Sequence, residues 1–94
     1  MRWLVERRLK ETSARLRSAR EDLVRLDHEV ESFSSDYDDL RVLSAVSGRV
    51  DADRDFGEAE QQAEVLRKAR VDLRRRIEDL VQKQDQLLEK LGSR

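Results

Sequence analysis

The sequence contains no cysteine and no proline, only three glycines, and four aromatic residues. Without cysteine there is neither a disulfide framework nor a cysteine-based zinc site. With no proline and so little glycine, the usual punctuation of turns is missing. No apolar run approaches the length of a membrane span, and Trp3-Leu4-Val5 is too short for a signal-peptide core. A cytoplasmic setting is the resulting expectation. What is present is charge: 20 Lys+Arg and 21 Asp+Glu in 94 residues, 44% of the chain. Ala, Leu, Glu, Lys, Arg and Gln dominate, a composition that favours helix throughout a single domain.

Apolar residues recur in heptads. Leu9, Leu16, Leu23, Val30 and Tyr37 form one row. Val5, Thr12, Ala19, Leu26, Phe33 and Leu40 form its companion. In the second half Phe56, Ala63, Arg70, Ile77, Gln84 and Leu91 make one row, and Ala59, Leu66, Leu73, Leu80 and Leu87 the other. Both halves thus carry a coiled-coil seam. If the chain turns near Gly48, facing residues have numbers that add to about 96. Phe33 then meets Ala63, Tyr37 meets Ala59, Ala19 meets Ile77, and Thr12 meets Gln84. Large opposite small is what close packing of a narrow core requires. The predicted fold is an all-α, antiparallel two-helix coiled-coil hairpin: helix 1 over 3–47, a turn over 48–51 and helix 2 over 52–91, with dimerisation into a four-helix bundle as an extension.

Gly48 suits the left-handed end of helix 1. Asp51, or Asp55 with Glu58 as a capping box, would open helix 2. Ser32-Phe33-Ser34-Ser35-Asp36 is the stretch of weakest helix propensity, the place where helix 1 could kink or break. Arg70 would face Leu26, tolerable if its head snorkels outward.

Charge is segregated. Residues 1–20 and 74–94 carry 13 positive and 6 negative side chains, whereas residues 21–73 carry 7 and 15. Arg8, Arg15, Arg76, Lys83 and Lys90 flank the seam as a basic wall, with Arg8 facing Lys90 and Arg15 facing Lys83. On the opposite wall lie Trp3, Val81 and Leu88, with Val24 and Val71 beyond them, where a two-helix pair would ordinarily carry charge. They suggest a second seam for a partner protein or a second copy. Around the turn, Leu43, Val46 and Val50 are expected to make the apolar contact that accompanies a glycine-capped helix end; alternatively, with Asp51, Asp53 and Asp55, they form an acidic tip that inserts into a partner.

Other chemistries are disfavoured. Asp51-Ala52-Asp53-Arg54-Asp55 starts like a calcium loop, but Phe56 stands where glycine belongs and Gln62 where glutamate does. Acidic residues opening a helix follow from its dipole. His28 is the only histidine and lies on the outward face, with no Glu-x-x-His spacing to complete a metal site. Carboxylate pairs abound, but two helices enclose no site that would shift their pKa values for acid–base work. Arg74-Arg75-Arg76 points in three directions. The basic wall could follow a phosphate backbone, yet only Trp3 offers a stacking surface. Membrane-surface binding through Trp3-Leu4-Val5 with Arg2, Arg7 and Arg8 is weaker still. No cofactor, metal, small-molecule substrate or catalytic residue is expected.

Two resemblances are architectural. The chain is similar in length and turn position to small secreted hairpins of the WXG type, with Val46-Ser47-Gly48 at the matching tripeptide but no tryptophan. Its Asp51, Asp53 and Asp55 tip resembles in charge the bacterial factors that enter the secondary channel of RNA polymerase, without their globular docking domain. Neither identifies a family. The leading expectation is a non-enzymatic adapter or assembly subunit acting by protein–protein contact, a homodimer included. A regulator with an acidic tip stands second and a nucleic-acid binder third.

Overall fold

A computed structural model describes residues 1–92. It is an all-α helical hairpin of two long helices packed against each other. Helix α1 spans Arg2–Ser47 and α2 spans Val50–Gly92. The turn is only Gly48 and Arg49, shorter than the four residues predicted. Gly48 has φ +61°, the left-handed conformation that ends α1. The Ser47 hydroxyl accepts the Arg49 N–H at 3.3 Å, and the Arg49 carbonyl accepts the Asp53 N–H at 3.1 Å. Because α2 opens at Val50, Asp51 is not its cap. Asp51 and Asp53 instead lie in the first turn, where their charge favours the helix dipole. Asp55 and Glu58 fall inside the helix and form no capping box.

A methyl group on Gly48 would meet no atom within 4 Å, so its cost is conformational alone. Gly48→Ala should therefore lower stability by about 1 kcal/mol, read as a fall in the urea midpoint without a change in slope. An unchanged midpoint would mean that the turn relaxes out of the left-handed region.

The helix does not break at Ser32–Asp36; α1 is continuous through it. Propagation is cheap once a helix is nucleated, and Phe33 and Tyr37 tie this stretch to the seam while the three serines face solvent.

The chain forms two compact units, Met1–Val24 with Asp72–Arg94 (the terminal unit) and Arg25–Val71 (the turn unit). Every residue of the four predicted heptad rows is buried or half-buried. Four polar contacts between the helices fix the register: Gln84 with Ser13, Arg70 with Asp27, Tyr37 with Glu60, and Ser44 with Asp53. The first three each join a seam residue to the neighbour of its predicted seam partner, and the fourth lies beyond the predicted rows. Gln84 thus donates at 3.0 Å to Ser13, not to Thr12, because the seam partner lies beneath it and the flanking hydroxyl is the one within reach.

In the terminal unit the core is Thr12, Leu16, Ala19 and Leu87. In the turn unit only Ala52 and Ala59 are buried; the larger seam residues there stay half-exposed. The Tyr37 and Phe56 rings are 5.4 Å apart at 37°, a tilted aromatic pair beside the buried Ala59. Phe33 faces a groove of 260 Å³ with Val30, Tyr37, Ala63 and Leu66. Large-against-small pairing leaves this stretch open, since two helices cover a seam residue on one side only.

Candidate interaction surfaces

The apolar residues off the seam divide by accessibility. In the terminal unit Trp3 is 57% exposed, Leu88 50% and Val24 58%, whereas Val81 is half-buried and belongs partly to the seam. Beside Val24 a groove of 410 Å³ is lined by Ser13, Arg17, Arg20, Glu21 and Gln84, so this wall is apolar residues set among basic and polar ones. Val71, in the turn unit, is also exposed.

The five basic residues of the opposite wall, Arg8, Arg15, Arg76, Lys83 and Lys90, are all exposed in the terminal unit. Among the described residues none of them forms an ion pair, whereas Arg2 pairs with Glu6, Arg7 with Glu11, Arg54 with Asp51, Arg67 with Glu64 and Arg70 with Asp27. Arg15 and Arg76 line one shallow groove with Ser18, Ala19, Asp22 and Leu73.

At the turn the expected apolar contact is absent. Val46 and Val50 are each 81% exposed, and Leu43 is exposed as well. The helix ends are joined instead by a polar contact, the Ser44 hydroxyl donating to Asp53, while Asp51 pairs with Arg54 within α2. With the turn reduced to two residues, α2 starts before Val50 can fold back on α1. Val42 and Val65 are exposed too, and the heptad reading passes over both because neither lies on a row.

The contact that sequence reasoning did not foresee is that of Arg70. Its guanidinium leans out of the seam to within 3.9 Å of Asp27, an ion pair too long to be a hydrogen bond. The Asp27 Oδ1 is buried with no hydrogen-bond partner. The signal was available, since Asp27 directly follows the residue that Arg70 was predicted to face.

No cluster of three or more His, Cys, Asp or Glu side chains among the described residues could hold a metal ion, and none of the helices there is long and apolar enough to cross a membrane. His28 is exposed. No family model matches the chain, and neither the curated proteins nor the solved structures include a significant match to it.

Proposed function

We propose that this chain is a non-enzymatic adapter or assembly subunit that docks a protein partner through the apolar residues of its terminal unit. The observation that carries this reading is the exposure of Trp3, Val24 and Leu88, whose heptad positions put them on the wall opposite the basic one. Tryptophan is among the residue types enriched at the anchors of protein interfaces, and the half-exposed Leu88 adds apolar surface. Among the described residues no group of three or more His, Cys, Asp or Glu side chains could hold a metal ion, and His28 is exposed.

The test is Trp3→Glu with Leu88→Glu. Val81 is left alone, because it is half-buried and a charge there would also weaken the seam. Tagged wild-type chain should retain a stoichiometric protein from a nuclease-treated native lysate. The double variant should lose at least about 90% of it with unchanged helicity, about 1.4 kcal/mol for each tenfold fall in affinity. Retention of the same partner by the variant would overturn this docking wall, and a partner lost on nuclease treatment alone would favour nucleic acid.

A second reading is supported by Val46 and Val50. Two valines at 81% exposure beside Asp51 and Asp53 suit a tip that engages a larger enzyme, RNA polymerase being one that admits such tips. Val46→Ser with Val50→Ser discriminates the readings: a tip regulator loses its partner, and a side-wall adapter keeps it.

A further inference from the structure

Along the sequence, the two heptad rows that carry the basic wall in the terminal unit carry acidic residues in the turn unit. At seven-residue steps, Arg8 and Arg15 lead through Asp22 to Glu29, Asp36 and Leu43. Read backwards, Lys90, Lys83 and Arg76 lead to Ala69, Gln62 and Asp55. The five cations belong to the terminal unit, and Glu29, Asp36 and Asp55 to the turn unit. Asp39 and Glu58, one step outward on the same side of their helices, add to the acidic set. All five of these carboxylates are exposed, and none forms an ion pair among the described residues. The cations opposite them in sign are likewise without an ion pair among the described residues, and the predicted register sets two pairs of them face to face. By composition the terminal unit carries 13 positive and 9 negative side chains, and the turn unit 7 and 12.

We infer that this chain forms a closed homodimer in which the basic row of each copy's terminal unit lies on the acidic row of the other copy's turn unit. The occupant is a second copy because the complement of each row is the other row of the same chain, matched five to five. A second copy brings a complement to each of the two rows, whereas an acidic ligand would neutralise only one, and closed two-fold dimers are the commonest homo-oligomers. Exposed Leu43, Val46 and Val65 flank the acidic row and give the long arginine and lysine stems apolar surface to cover. Single exposed charge pairs contribute little, so the association rests on the network and is screened by salt. This interface is separate from the wall of Trp3 and Leu88, and it stands or falls independently of the docking function proposed above.

The decisive experiment is a reciprocal charge reversal read by analytical ultracentrifugation. One variant carries Arg8→Glu, Arg15→Glu, Lys83→Glu and Lys90→Glu; the other carries Glu29→Lys, Asp36→Lys, Asp39→Lys and Asp55→Lys. Wild type should be dimeric, with a dissociation constant that rises about tenfold or more between about 50 mM and about 0.5 M salt. Each variant alone should be monomeric and still helical by circular dichroism. Mixed in equal amounts, the two should form a heterodimer, because every acidic row then meets a basic one. A monomeric wild type, a dimer indifferent to salt, variants that still self-associate, open polymers, or a mixture that stays monomeric would each overturn the inference. The salt titration of wild type decides the matter even if a variant fails to fold. Trp3→Glu with Leu88→Glu should leave the dimer intact, which keeps this result distinct from the docking test.

Discussion

Replacing Leu16 with alanine should remove about 2–4 kcal/mol of folding stability, a large share of what a chain of this size has. Leu16 is 2% exposed, the least exposed core residue, and Leu87 of the same terminal unit is also buried. Truncating it removes three carbons from one of the few places in the seam that water does not reach. Leu88→Ala is the control: half-exposed and off the seam, it should change stability by no more than about 0.5 kcal/mol. Urea unfolding followed by circular dichroism, at one fixed protein concentration, compares them. A loss below about 1 kcal/mol at Leu16 would mean that the terminal unit is not held by this layer.

That so much hangs on Leu16 follows from how few residues are buried. Heptad spacing was enough to place all four rows, since a helix has one periodic way to turn apolar residues inward. Facing numbers near 96 were legible as well, because Thr12, Gln84 and the small residues leave few other registers with sensible layers. The start of α2 was not. Asp51 has the chemistry of a cap, but so has any acidic residue in a first turn, and the backbone of Arg49 took the position instead. Nor could the spacing say that Val46 and Val50 would stand in water, as this depends on the length of the turn. The interaction surfaces were readable as rows of like residues, and Trp3 and Leu88 are as accessible as expected while Val81 is not. What those surfaces meet is a property of a second molecule and leaves no period in this one.

The double replacement Arg70→Leu with Asp27→Ala should raise stability by about 1–3 kcal/mol. Arg70 occupies a seam position and borders the groove formed by Val30, Phe33 and Leu66. Its guanidinium reaches Asp27 only at 3.9 Å, and the Asp27 Oδ1 is buried without a hydrogen bond. Leucine would put apolar atoms into that groove, and alanine would remove the unsatisfied oxygen. Arg70→Leu alone should gain less, about 1 kcal/mol, because Asp27 then loses its only cation. A double variant less stable than wild type would show that the ion pair contributes more than its length suggests. The gain should come with a loss of pairing specificity. If α2 slipped by one heptad along α1, the residue beside Arg70 would be Arg20 or Ser34 in place of Asp27. Only the observed register gives the seam's one charge a counterion, so the pair discriminates against slippage even while it weakens the seam. The double variant should therefore sediment as more than one species at concentrations where wild type gives one, and a single species would mean that the turn at Gly48 alone sets the register.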